Sequence, residues 1–291
     1  MNLTKLPFCS ATPAHRGIKR AVKGSSIALL GAILCMAVPS LSHAQEASEP
    51  LAKGVQDNSF LIEEAYNQEP GVVQHILTAR RQGRDWTLNF TQEWPVGSQA
   101  HQFSYTVPYA FLRSSGRSVH GIGDIFLNYR FQAIEESDRL PTFAPRISLI
   151  VPSGSERKGI GAGSVGYQIN LPFSKVVSDR VTLHANAGIT SYADILGRMP
   201  VSYNLGGSAV YAVTRNFNLM LEVVGERNET VALSRTIERE LALTVSPGIR
   251  YAFNISAGQL VTGLAAPIRL TKDRTDIGAF LYLSFEHKFE R

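Results

Sequence analysis

The amino-acid sequence predicts an all-β protein: a transmembrane antiparallel β-barrel of about twelve strands, preceded by a cleaved N-terminal signal peptide. Three observations support this prediction. The N-terminus has the features of a secretory signal, and the segments after it alternate apolar and polar residues with a period of two. The connections between these segments sort into tight turns and longer polar loops, as the two ends of a membrane barrel require.

Residues 1–44 have the three parts of a secretory signal peptide. Basic residues between positions 19 and 23 precede an apolar run over 27–38, and a small-residue cleavage site ends at Ala44. The apolar run is too short to span a bilayer, which needs about 20 residues. We therefore expect cleavage after Ala44.

Cleavage at this site changes the charge and the redox chemistry of the chain. The whole chain carries a formal charge of +5, from 29 basic and 24 acidic residues, but five of the basic residues and none of the acidic ones lie in 1–44. The remainder is formally neutral, so its composition does not support binding to nucleic acid. Both cysteines, Cys9 and Cys35, are also removed, which excludes a disulfide, a thiol nucleophile and a cysteine metal site.

Segments with strand periodicity follow the signal. In the last of them, Leu281, Leu283 and Phe285 alternate with Tyr282 and Ser284, so one face of the strand is apolar and the other more polar. About twelve such segments begin near residues 72, 85, 102, 122, 142, 164, 180, 201, 217, 237, 259 and 277.

A water-soluble β-sandwich also contains alternating strands and is the main alternative architecture. Its strands usually run about 5 to 6 residues, whereas segments such as 237–251 and 277–289 reach the roughly 9 to 11 residues of a tilted membrane strand. Aromatic residues also lie near segment ends, as in the interfacial girdles of membrane barrels. These are Trp86, Trp94, Tyr192, Tyr203, Tyr211, Tyr251 and Phe289. Both features favour the barrel.

The connections indicate how the barrel is oriented. Outer-membrane barrels have short periplasmic turns and longer extracellular loops. The tight turns, which we assign to the periplasm, are 176–179, 214–216 and 254–257. The longer polar loops, which we assign to the outside, are 113–121, 152–163, 193–200 and 228–236.

Residues 45–71 lie between the signal peptide and the predicted barrel domain, which occupies 72–291. This segment contains six acidic residues around a short apolar patch at 60–62 and has no convincing strand pattern. Two interpretations stay open: a periplasmic tail, or a segment folded into the lumen as a partial plug.

Residues 121–131, with the sequence Gly-Ile-Gly-Asp-Ile-Phe-Leu-Asn-Tyr-Arg-Phe, resemble the outer-membrane family named for the meta-pathway of phenol degradation. The family's further features follow in order at 145–154, 159–166, 171–175 and 186–188. The resemblance implies an outer-membrane barrel over the whole mature chain and transport of small solutes, hydrophobic or aromatic ones included. It implies no particular ligand residues.

Residues 161–166 match the dinucleotide fingerprint G-x-G-x-x-G, but their context argues against a nucleotide site. A phosphate cradle needs a helix after the glycines, whereas Tyr167, Ile169 and Leu171 continue the strand pattern. We interpret the glycines as a flexible loop that enters a strand, and we expect no bound cofactor. No His or carboxylate cluster has the spacing of a metal site either.

The predicted site consists of charged residues and one histidine, at the alternate strand positions that should face the inside of the barrel. We expect the lumen to be lined by Asp124, Arg130, Arg146, His184, Glu222, Glu226, Glu238, Glu240, Arg250 and Glu286. Either they are hydrated or paired as any polar barrel interior requires, or they tune a permeation path. No nucleophile motif accompanies His184, so no catalytic residue is predicted.

The sequence therefore predicts a non-enzymatic channel or transporter for small solutes in the bacterial outer membrane. Its expected partners are outer-membrane lipid, the barrel-insertion machinery and the solute. Two alternatives stay open: an outer-membrane hydrolase acting on lipid, and a non-conducting structural or adhesive barrel. In a channel, Glu226, Glu238 and Glu240 would ring the external mouth, and Arg130 and Arg146 would attract anions deeper inside.

Overall fold

The computed structural model describes residues 51–55, 58–114 and 117–289, so the predicted signal peptide and its cleavage site lie outside the described residues. Two short 3₁₀ helices span Leu51–Lys53 and Glu156–Lys158. The β-strand segments are β1 Val72–Gln82, β2 Asp85–Val96, β3 Ser98–Ser114, β4 Arg117–Ile122, β5 Ile125–Phe131, β6 Thr142–Phe143, β7 Arg146–Val151, β8 Gly166–Ser178, β9 Val181–Tyr192, β10 Val201–Ala212, β11 Phe217–Val231, β12 Ile237–Ile255, β13 Gly258–Ala265, β14 Ile268–Thr271, β15 Thr275–Ile277 and β16 Ala279–Lys288.

The strands form one closed antiparallel sheet. Hydrogen bonds run from β1 through β2, β3, β5, β7, β8, β9, β10, β11, β12, β13 and β16 back to β1. Of the other segments, β4 and β6 lead into β5 and β7, β14 continues β13, and β15 leads into β16. The described residues thus form a twelve-strand barrel in which chain neighbours are barrel neighbours, which confirms the predicted fold class. Two strands begin earlier than expected, at Ser98 and Arg117 rather than near 102 and 122.

Four of the twelve strands are interrupted where the sequence has glycine or proline. The breaks contain Gly123, Pro145, Pro267 and Gly278. Proline cannot donate a ladder hydrogen bond, and glycine in a strand often marks a bend or a close backbone approach. At one break the Gly278 N–H donates to the Pro267 carbonyl at 2.8 Å, so the wall stays hydrogen-bonded there.

The barrel buries its polar face and exposes its apolar face. Along β5, Asn128 and Arg130 are 2% and 3% exposed, whereas Leu127 and Tyr129 are 37% and 39% exposed. A soluble sandwich would have the opposite arrangement, because its core is apolar. Apolar residues facing outward and polar residues facing inward are the pattern of a barrel surrounded by lipid.

No helix among the described residues has both the length and the apolar character needed to cross a membrane.

The two ends of the barrel should differ in accessibility. Glu156, in the long β7–β8 loop, and Asp179, in the short β8–β9 turn, are both exposed and lie at opposite ends of the same strand. We expect a cysteine introduced at Glu156 to react with a membrane-impermeant maleimide on intact cells, and a cysteine at Asp179 to react only after the outer membrane is permeabilised. The reverse pattern would invert the assigned orientation.

Candidate functional site

The residues that precede β1 contact the barrel wall at many points. Near one end, the Ala52 N–H donates to the carbonyl of Asp179 in the β8–β9 turn, at 2.8 Å. At the same end of the barrel, the Val72 N–H donates to the Glu69 carbonyl at 3.1 Å, where β1 begins. Residues 58–68, which we name the inner segment, lie between these points and contact inward-facing side chains from strands all around the barrel.

Phe60 anchors the inner segment through apolar contacts. Its ring is 5.3 Å from the ring of Phe280 and 5.4 Å from that of Tyr282, measured between centroids. Gly248 and Gly263, on the neighbouring strands β12 and β13, leave room for it, since a Cβ at either position would overlap the Phe60 ring. Burying a phenylalanine side chain contributes about 1.5 to 3 kcal/mol, so this socket is a substantial part of what holds the segment.

Two of the predicted site residues bind the backbone of the inner segment and of Val55 before it. Glu222 is 0% exposed, and its Oε1 accepts hydrogen bonds from the N–H groups of Leu61 and Ile62 at 2.8 and 3.0 Å. On the neighbouring strand, the buried Arg250 donates to the carbonyls of Val55 and Asn58 at 2.9 and 3.1 Å. Hydrogen bonds to charged groups contribute about 1.5 to 3 kcal/mol each, so both residues act as anchors.

Arg130 of β5 and Arg146 of β7 hold the later part of the inner segment, from Glu63 to Tyr66. Glu63 Oε1 lies 2.9 Å from Nε of Arg146 and 3.6 Å from Nη1 of Arg130. The other oxygen of Glu63 accepts from the side chain of Asn170 at 3.0 Å, and Arg130 also donates to the Tyr66 carbonyl at 2.8 Å. The sequence analysis expected both arginines to face the lumen, but it did not identify Glu63 as their partner.

His184 takes part in the same set of contacts. Its Nδ1 lies 2.8 Å from the hydroxyl of Ser174, which also accepts from the Ala65 N–H at 2.8 Å. The hydroxyl of Tyr66 donates to Glu136 at 2.7 Å; burial raises the pKa of Tyr66, and the neighbouring carboxylate raises it further. Ser174 therefore contacts the backbone of the inner segment, and His184 contacts Ser174 and, in an edge-on arrangement, the Tyr66 ring. No group of three or more potential metal-ligating side chains occurs in the described ranges.

The acidic residues at the outer end are partly neutralised by an arginine that sequence reasoning missed. Arg269 is buried; its Nη2 is 3.0 Å from Glu240, and its Nε is 3.8 Å from Glu226. Glu238 is exposed. Strand periodicity could have indicated it. Arg269 is an even number of residues after Gly263, which faces inward, and the alternation continues across the break at Pro267.

Asp124 holds the β7–β8 loop. Its two carboxylate oxygens accept from the N–H groups of Gly154 and Ala162 at 2.9 and 2.7 Å. A Cβ at Gly154 or Gly161 would collide with the facing backbone, so these glycines serve close approach. The loop that the sequence analysis interpreted as flexible is therefore held on both sides by Asp124, and Ile160 between them is buried and lines a lumen cavity.

Two cavities lie on opposite sides of the inner segment, and we name them outer and periplasmic after the loop assignment made from the sequence. The outer cavity, of about 270 Å³, is lined by residues 58–63 of the segment together with hydroxyl and amide side chains of the wall. The periplasmic cavity, of about 310 Å³, is lined by residues 64–69 and by carboxylates that include Glu135, Glu136 and Glu286.

A closed barrel with a polar, charged interior and an apolar exterior defines this chain as an outer-membrane β-barrel protein. No protein-family model matches the sequence, and no curated protein matches it. Among solved structures, it is similar to an outer-membrane channel from Pseudomonas putida F1, at 13% identity and a TM-score of 0.61, over 77% of this chain and 98% of that chain. The KdgM porin is also similar, at 11% identity and a TM-score of 0.48, over 75% and 99%. The CymD monoaromatic hydrocarbon channel has 9% identity and a TM-score of 0.40, over 77% and 90%. The first of these similarities supports the fold.

Proposed function

We propose that this chain is an outer-membrane channel for small solutes, and that the inner segment forms a partial plug that must move aside for a solute to pass. The observation that supports this proposal is the pair of cavities separated by the inner segment. A structural barrel needs no cavity on either side of its own plug. The contacts that hold the segment are non-covalent, so it can leave its position without any change in the strand pairing of the wall.

The predicted site residues take specific roles in this proposal. Glu222, Arg250, Arg130 and Arg146 set the strength with which the inner segment is held, rather than forming an open charged pore. Asp124 sets the position of the β7–β8 loop at the outer mouth. The lumen-lining role of Glu226, Glu240 and Glu286 remains part of the proposal.

The resemblance of residues 121–131 to the phenol meta-pathway family adds a narrower hypothesis, that the solutes include aromatic compounds. The stacked rings of Phe60 and Phe280 beside the outer cavity are compatible with this, since an apolar ring could pack against them.

The test is current through a planar bilayer that contains refolded residues 45–291. We expect small, discrete current steps, because a lumen that is blocked for most of the time conducts little. A folded, heat-modifiable barrel that never produces steps would contradict the proposal. In that case, hydrolysis of phospholipid or lipid A by the same sample would support the enzyme alternative, and the absence of both activities would support the structural one.

A further inference from the structure

We propose that the outer cavity contains a binding site for hydroxyl groups of an uncharged solute, formed by amide oxygens around Gly188. This inference rests on the proposed function, because it assumes that the solute enters the outer cavity. It names the chemistry that the wall of this cavity recognises.

The site lies on three neighbouring strands. Gly188 of β9 is paired with Asn170 of β8 on one side and with Asn204 of β10 on the other, and the cavity lining includes both asparagines. A Cβ added to Gly188 would collide with Oδ1 of both asparagines. The two oxygens therefore converge on the volume that a methyl group would otherwise fill. A single donor placed above Gly188 can reach both oxygens at ordinary hydrogen-bond distances of roughly 2.7 to 3.2 Å.

The orientation of the Asn170 amide is set by its neighbour in the inner segment. Its Nδ2 donates to Glu63 Oε2 at 3.0 Å, which directs Oδ1 towards Gly188. Asn170 is 5% exposed, yet this oxygen has no hydrogen-bond partner among the described residues. The same holds for Oδ1 of Asn186, the preceding inward residue on β9, which is also buried and also lines the cavity.

Buried acceptors without partners are costly, at about 1 to 3 kcal/mol each, unless a donor from water or a ligand satisfies them. We name Asn170, Asn186, Asn204 and Gly188 the amide niche. It presents acceptor oxygens, so it favours hydroxyl donors and disfavours carboxylates. The Glu63 carboxylate beside the niche is already paired with Arg146, so no unbalanced negative charge there selects a cation. The complementary ligand is therefore a small neutral polyol.

Binding of two probes of similar size tests this inference. Xylitol carries hydroxyl donors, whereas diethylene glycol dimethyl ether has oxygen acceptors and no donor. Saturation-transfer NMR on the folded barrel in detergent, with each probe in turn, measures binding whether or not the barrel conducts. We expect a signal for xylitol that is several-fold stronger than the signal for the ether.

Gly188→Ala should reduce the xylitol signal about tenfold, because the new methyl group fills the niche and displaces both oxygens. Gly225→Ala is the matched control, since its Cβ would have only an ordinary contact, 3.7 Å from the Leu205 carbonyl oxygen. If Gly188→Ala does not fold, Asn204→Ala removes one acceptor without adding volume and should reduce the signal several-fold. Equal signals for the two probes, or a xylitol signal unchanged by these variants, would overturn the inference. Absence of bilayer current with intact xylitol binding would instead contradict only the proposed function.

Discussion

A chain that begins at residue 69, and so lacks the inner segment, should conduct several-fold more current than the chain that begins at residue 45. The wall does not depend on the segment for its strand pairing, because hydrogen bonds between neighbouring strands close the barrel from β1 to β16. Removing the segment joins the outer and periplasmic cavities. Water then solvates the side chains that held the segment, including Glu222 and Arg250. Single-channel recording in planar bilayers measures the change.

A chain that begins at residue 51 is the matched control for this truncation, because it keeps the inner segment and the contacts of that segment with the barrel wall. It should conduct like the longer chain. Heat-modifiable migration on a gel checks that each barrel is closed. Equal conductance of all three chains, each folded, would mean that the segment does not restrict the lumen.

Asp124→Ala should release the β7–β8 loop and expose it to trypsin. The substitution leaves the N–H groups of Gly154 and Ala162 without their carboxylate acceptor. Two hydrogen bonds to a charged group contribute about 3 to 6 kcal/mol together, and each 1.4 kcal/mol changes a population tenfold, so the open loop should be at least tenfold more populated. Arg157 and Lys158 lie within this loop and provide the cleavage sites. The rate of loop cleavage in proteoliposomes measures the effect.

Asp194→Ala is the control for that experiment. The exposed Asp194 side chain accepts a hydrogen bond from the Gly197 N–H in the β9–β10 loop. Within the described residues, Asp194 contacts the β7–β8 loop only through its main-chain N–H, which donates to the Ser164 hydroxyl at 3.0 Å and which alanine retains. Its replacement should leave cleavage at Arg157 and Lys158 unchanged. If Asp124→Ala is cleaved there no faster than the unsubstituted chain, Asp124 does not hold the loop.

The wall of the barrel could be predicted from the sequence because its signals are local. Strand periodicity depends only on neighbouring residues, and the two faces that it predicted for the last segment are observed. Leu281 and Leu283 are exposed, whereas Tyr282 and Ser284 are buried. The number of strands followed from counting such segments. The boundaries were less accurate where glycine or proline interrupts a strand, as at Gly123, because the periodicity is broken there.

The partners of the inward residues could not be predicted in the same way. Glu63 contacts Arg146, which is 83 positions away in the chain, and Leu61 contacts Glu222 across 161 positions. The alternation along a strand predicts which face of the sheet a residue lies on, but it does not predict which segment packs against that face. The inner segment has no periodic pattern, so its path depends on contacts with strands that are distant in the sequence. One signal was present: glycines at inward positions of adjacent strands, such as Gly248 and Gly263, indicate that a bulky side chain approaches the wall.

A disulfide between the inner segment and the wall tests the central claim most directly. The hydroxyl oxygens of Ser59 and Ser208 are 3.0 Å apart and both residues are buried, so cysteines at these two positions are well placed to form a disulfide. Residues 45–291 contain no other cysteine. We predict that proteoliposomes with oxidised Ser59→Cys/Ser208→Cys take up a small solute far more slowly than those with the unsubstituted chain, and that dithiothreitol restores the rate, whereas Ser208→Cys alone responds to neither treatment. Equal uptake by the oxidised and reduced forms of a confirmed cross-linked sample would contradict the claim that the segment must move for a solute to pass.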